Sequence, residues 1–183
     1  MKNNLLTILV FLLNTTAFAG VPLPHYIHAN GYGPVKIGMT PQQASELLGV
    51  PLLRYNDVEH EGCYYLYPNG DFDSTGYMVQ DEKIVRIDVD DKTIKTLSGL
   101  SVGSKEEEIQ TKFKSKVRIR ENPYGRGSHY VYVNVYGDNL LLFETRAQKI
   151  TETADGQFVF EDYRISDFRI GEPSAVSLTE GCM

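Results

Sequence analysis

One pattern occurs twice in this chain, and it constrains the fold more than any other feature. Gly33-Pro34-Val35-Lys36-Ile37-Gly38 leads into Met39-Thr40-Pro41-Gln42-Gln43. About 65 residues later, Gly99-Leu100-Ser101-Val102-Gly103 leads into Ser104-Lys105-Glu106-Glu107-Glu108. Each reads as a short apolar strand, a glycine and a helix start. Thr40 suits the N-cap, Pro41 the first helical position, and Gln43 a capping box. Ser104 with Glu107 repeats that device. Ala44, Leu47 and Leu48 supply an apolar stripe to the first helix, and Ile109 and Phe113 to the second. Gly49 and Pro51 stop the first helix.

The segments behind the helices also correspond. Tyr64-Tyr65-Leu66-Tyr67 matches Tyr130-Val131-Tyr132-Val133 at an offset of 66, and Gly76 to Val79 matches Leu142 to Thr145 at the same offset. Lys83-Ile84-Val85 is matched with Lys149-Ile150-Thr151. The second half adds a hairpin turn at Ala154-Asp155-Gly156, and its last strand, Tyr163 to Ile170, resembles Ile84 to Val89. These runs alternate, are rich in aromatic and β-branched residues, and are separated by Asn-Gly, Gly-Asp and Asp-Gly turns. The expected fold class is α+β: two tandem repeats of a short helix packed on a small antiparallel sheet, residues 20–97 and 98–183. Neither half carries enough apolar residues to stand alone. Side by side they make one continuous sheet, with helices on one face and the other face open.

Residues 1–19 read as a secretory signal peptide. Lys2 marks the n-region, Leu5 to Leu13 the apolar h-region, and Ala17-Phe18-Ala19 a cleavage site. A membrane span needs about 20 apolar residues, more than this h-region offers. No cysteine follows the cleavage point, so no lipid anchor is expected. The expected location is the periplasm or the extracellular medium. Loss of the leader removes Lys2 and moves the formal charge from −6 to −7. A mildly acidic chain with interspersed signs lacks the concentrated Lys/Arg field of a nucleic-acid surface. It suits a basic partner.

Cys63 and Cys182 are the two cysteines. An even count in an exported chain favours one disulfide, here a structural clasp from the C-terminus to the middle of the chain. The absence of C-x-x-C argues against a redox centre.

The run Ile37-Gly38-Met39-Thr40, with Leu48-Gly49 and Pro51 following, resembles the module of SmpA/OmlA-type outer-membrane assembly lipoproteins. The β-lactamase inhibitory protein, a tandem of two helix-plus-sheet units, is similar in layout. The Cys63-Tyr64, Ile84 to Val89 and Glu180-Gly181-Cys182 segments are similar to a group of uncharacterised exported bacterial proteins. The chain departs from the assembly lipoproteins in lacking a lipidation cysteine and in carrying two units. The resemblance implies protein binding rather than catalysis, and it carries no site residue.

Residues Asp71 to Glu82 match a calcium-binding EF-hand loop by letter, with Asp71, Asp73, Thr75, Gly76 and Glu82 at the required spacing. The flanks read as strands where helices should be, so the segment is expected to be a polar hairpin loop whose strand begins at Gly76. His25, His28, His60 and His129 show no metal-ligand spacing. The letters G-x-S-x-G occur at Gly99-Leu100-Ser101-Val102-Gly103, which is read here as the strand, glycine and helix start of the second repeat rather than as a nucleophile elbow, and neither cysteine reads as an activated nucleophile. Asp88, Asp90 and Asp91 read as strand-end and turn residues rather than a glycosidase pair. No catalytic residue, metal ligand or cofactor is therefore assigned.

What remains is surface. The chain has twelve tyrosines and no tryptophan. Tyr65, Tyr67, Tyr130, Tyr132 and Tyr136 fall on strand positions where half face the helices and half the open side. Tyr124 and Arg126 join them from the segment Arg118 to Gly127, which reads as a flexible loop. The candidate surface is Tyr65, Tyr67, Tyr130, Tyr132, Tyr124 and Arg126. The leading reading is a non-enzymatic protein-binding domain, of the kind that inhibits an envelope or extracellular hydrolase, whose partner is another protein. A structural or assembly factor of the envelope, and then a carbohydrate-binding domain or enzyme, are the alternatives.

Overall fold

The computed structural model describes residues 25–54, 62–135 and 137–182. The expected leader, His60 and Tyr136 lie outside the described residues. The elements run β1 (Tyr26–His28), β2 (Gly31–Tyr32), β3 (Val35–Lys36), α1 (Pro41–Leu48), β4 (Leu52–Leu53), β5 (Cys63–Pro68), β6 (Gly76–Gln80), β7 (Lys83–Val89) and β8 (Lys95–Thr96). They continue with α2 (Glu106–Phe113), β9 (Val117–Glu121), β10 (Ser128–Asn134), β11 (Leu140–Glu152), β12 (Phe158–Gly171) and α3 (Pro173–Val176). The fold is α+β, with few short helices and a large antiparallel sheet of eight strands in the order β4-β5-β6-β7-β12-β11-β10-β9. The seam is β7 against β12, with Ile87 opposite Ile170 and Asp88 opposite Arg169. A second, four-stranded sheet, β3-β2-β1-β8, was not anticipated from sequence.

Alternation along the strands sends Tyr77, Val79, Ile87, Val131, Val133, Phe143 and Phe168 to one face. There they form the main core with Ala44 of α1, Ile109 of α2 and Ile27 and Val35 of the small sheet. Thr40 caps α1 as expected: its Oγ1 accepts from Gln43 N, and Gln43 Oε1 accepts from Thr40 N. The start of α2 differs from expectation by one residue. Lys105 is the N-cap, and Glu108 Oε1 accepts from Lys105 N at 3.0 Å. Ser104 Oγ instead accepts from Ser101 N, which closes the preceding turn.

Two further expectations are corrected. Lys149 to Thr151 do not correspond to the start of β7; they lie in β11, paired with Val159 to Glu161 in a long hairpin. The segment from Arg118 to Glu121 is the edge strand β9 rather than loop, because its backbone pairs with His129 to Tyr132. Gly76 does begin a strand, as expected.

The second sheet face is not wholly open, and not all helices share one face. Ala175 and Val176 of α3 pack on Met78, Val85, Tyr130 and Leu142, on the side opposite α1 and α2. This explains why Gly76 to Val79 of β6 and Ile84 to Ile87 of β7 are buried on both sides. Chain beyond β12 therefore runs as a strap across the middle of the face. The strap ends in the Cys63–Cys182 disulfide, with Cα atoms 5.4 Å apart and a sequence separation of 119.

Candidate binding face

The strap is held by arginines rising from the two seam strands. Arg86 donates from Nη1 to the carbonyls of Ala175 and Leu178, and from Nε to Asp88 at 3.0 Å. Its Nη2 donates to the Tyr65 hydroxyl. Arg169 Nε donates to the Val176 carbonyl at 3.0 Å, and its guanidinium lies 5.8 Å from the Tyr130 ring centroid. Both arginines are buried, and the carbonyls they bind lie at the C-terminal end of α3, where unpaired carbonyls attract cations. The strap splits the face into separate clefts.

On one side lies a cavity of about 240 Å³. Tyr65, Tyr67 and Phe72 form its aromatic wall, and Asp88, Asp90 and Asp167 its acidic one. The Tyr65 and Tyr67 rings stack at 6.2 Å, and Tyr67 lies 5.1 Å from Phe72. Gly76 opposes them; a Cβ there would meet Tyr67 Cε1 at 3.1 Å, so only glycine leaves the floor open. Burial, then the charge of Glu144, raises the Asp167 carboxyl to about 6, although Ser166 Oγ donates to it at 2.8 Å. Burial, with Asp88 and Asp90 adding to it, pushes the Tyr67 hydroxyl up to about 12. Carboxylates set against π-faces have the chemistry to receive an organic cation such as a Lys or Arg side chain.

Tyr124, Arg126 and Tyr130 line a second cavity of about 440 Å³ with Glu144 and Ile150. Asn122 anchors this wall: its Nδ2 donates to Ser128 Oγ and Glu144 Oε1, and its Oδ1 accepts from Tyr124 N. Tyr124 is 70% exposed, whereas Tyr130 is buried against Arg169. Tyr132 belongs to a third cleft of about 590 Å³ beside Arg118 and Arg120. The structure thus brings Tyr65 with Tyr67, and Tyr124 and Arg126 with Tyr130. These two sets line separate clefts, whose carboxylates Asp167 and Glu144 stand opposite one another on β12 and β11.

Sequence reasoning missed Phe72, Asp88, Asp90 and Asp167. Asp91, grouped with Asp88 and Asp90 in the sequence, serves its own turn instead: its Oδ1 accepts from Thr93 N and Thr93 Oγ1. The EF-hand spacing is not wrapped into one loop. Gly76–Gln80 is strand, and Glu82 sits with Asp81 in the following hairpin turn at positive φ. His28 Nε2 lies 3.0 Å from Gly33 O, and His129 Nδ1 lies 2.8 Å from Glu106 Oε2. His129 also stacks on Tyr163 at 4.0 Å on the helical side, so it serves packing between α2 and the sheet. No group of three or more His, Cys, Asp or Glu side chains converges for a metal ion among the described residues. No described helix is long and apolar enough to cross a membrane. No protein-family model matches the chain, and no curated protein or solved structure is significantly similar to it.

Proposed function

We propose that the protein is a non-enzymatic binding protein of an extracytoplasmic compartment, periplasmic or secreted, and that it grips another protein with the sheet face opposite α1 and α2. The observation that carries this reading is the acidic, aromatic cleft of Tyr65, Tyr67, Phe72, Asp88, Asp90 and Asp167 beside the strap. A protruding Lys or Arg of a partner fits that chemistry, and tyrosine-rich rims suit protein surfaces. The clasp between Cys63 and Cys182 is compatible with an oxidising location. The resemblance to the tandem inhibitory module makes inhibition of an envelope or extracellular hydrolase the specific form of the proposal.

Duplication of one helix-plus-four-strand unit belongs to the same proposal, and three correspondences support it. Gly38 and Gly103, both at φ 89°, donate to Ile84 O and Ile165 O, while Ile84 N and Ile165 N donate back to Met39 O and Ser104 O. Each unit has one bulge, at Met78/Val79 and Glu144/Thr145. The ladder registers set Leu66 opposite Tyr77 and Val131 opposite Phe143, which equates Tyr65 and Tyr67 with Tyr130 and Tyr132. That moves the sequence offset in this strand from 66 to 65. On this reading the two halves present equivalent tyrosine pairs to the same face.

The test is capture from envelope and culture fractions with the disulfide-bonded protein, followed by sizing of the complex and assay of the captured protein's own activity. A stable one-to-one complex with loss of that activity is expected. Weak, multivalent envelope association would favour an assembly factor instead, and turnover of a substrate by the protein itself would overturn the reading.

A further inference from the structure

A mostly apolar cavity lies away from the binding face, on the helical side. About 610 Å³ is open between β1, β8, the end of α2 and the ends of β11 and β12. That volume falls within the roughly 300–1,000 Å³ of small-ligand sites. Its interior is Ile27, Phe113, Val135, Leu141 and Ile170, of which Ile27, Leu141 and Ile170 are buried. The polar groups near its wall are already satisfied: Thr96 Oγ1 lies 2.8 Å from Ser98 Oγ and accepts from Leu100 N. At the mouth stands Lys112-Phe113-Lys114-Ser115-Lys116, three ammonium groups in five residues of an acidic chain. Among the described residues, the lining includes no carboxylate. Lys114, at φ 51°, ends α2, and the three lysines are exposed beside the opening.

We infer that this cavity is a site for a single-chain amphiphile with an anionic head group, its alkyl chain inside and its head among Lys112 and Lys114. Apolar walls without unmet donors favour an alkyl chain over a sugar or nucleotide. A cationic mouth with no acid in it selects the sign of the head. The site is independent of the proposed protein-binding face, on the opposite side of the sheet.

Calorimetric titration of the disulfide-bonded protein with sodium dodecanoate tests this, with dodecanol and dodecyltrimethylammonium as neutral and cationic comparisons. One dodecanoate per chain is expected, bound at least tenfold tighter than either comparison. Affinity should rise by about fourfold for each methylene added from octanoate upward until the cavity is full. Lys112→Gln with Lys114→Gln, both exposed positions, should cost dodecanoate its advantage and leave dodecanol binding unchanged. Ala29→Trp should reduce binding of all chains alike by filling the cavity. Dodecyl phosphate separates the natural sources: a preference for it assigns a phospholipid-derived chain, and a preference for dodecanoate a free fatty acid. Absence of saturable binding, equal affinity for the cation, or indifference to loss of the lysines would overturn the inference.

Discussion

Arg86 reaches from the middle of the sheet to the backbone of Ala175, donating to its carbonyl at 2.8 Å across 89 residues of sequence. That contact converts a C-terminal segment into a structural strap and shapes the clefts on either side. Replacing Arg86 by Met leaves the buried carbonyls and Asp88 without their donor. The expected loss is about 3 kcal/mol, read by urea denaturation under oxidising conditions. A loss under about 1 kcal/mol would mean the strap is held by other contacts.

The disulfide and Gly181 secure the far end of the strap. Closing a loop of 119 residues constrains the unfolded chain by about 5 kcal/mol in the chain-entropy model. Cys63→Ser with Cys182→Ser should therefore lower unfolding free energy by about 3–5 kcal/mol. Gly181 sits at φ 73°, and a Cβ there would stand 3.1 Å from the Tyr65 ring. Gly181→Ala should cost about 1–2 kcal/mol with the disulfide intact, measured in the same denaturation series.

Asp167 supplies a pH signature. Its folded-state carboxyl titrates near 6, above its unfolded value, so the folded state binds the proton more tightly. The contribution to stability is fully present below about pH 4 and is lost as pH rises through 6. Asp167→Asn removes the titration. The variant should be more stable than wild type by about 2–3 kcal/mol at pH 8, with the difference vanishing near pH 4. A constant difference across that window would contradict the buried position of this carboxyl.

Glu106 links α2 to the sheet. Its Oε2 accepts from Thr145 Oγ1 at 2.5 Å and lies 2.8 Å from His129 Nδ1. Glu106→Ala strands the buried Thr145 hydroxyl and the half-buried His129 and should cost about 2–3 kcal/mol, whereas Glu106→Gln, which keeps an acceptor, should cost about half as much. Equal losses in thermal unfolding would assign the effect to the carboxylate's charge rather than to an acceptor at that position.

Much of the scaffold was legible because it depends on local chemistry. Thr40, Pro41 and Gln43 spell a helix start, and strand alternation sent Val131 and Val133 inward while exposing a tyrosine face. The disulfide followed from cysteine count and compartment. What was not legible depended on long-range packing. Nothing local distinguishes Pro173 to Val176 from a tail; its role comes from two arginines distant in sequence. Asp167 and Asp88 meet only because β7 pairs with β12, so their shared cleft has no sequence signature. On the proposed duplication, the offset of 66 read from sequence and the offset of 65 given by the ladders differ by one residue, and a one-residue slip exchanges the faces of a strand.

The central claim is the proposal that this face grips a partner, and the most direct measurement is the affinity of the captured partner for paired surface variants. Tyr67→Ala with Asp88→Asn alters the acidic cleft, while Gln42→Ala with Glu107→Ala alters exposed positions on α1 and α2. The dissociation constant is expected to rise at least tenfold for the first pair and to stay within about twofold for the second. Unchanged affinity for the first pair, or a loss confined to the second, would contradict the account.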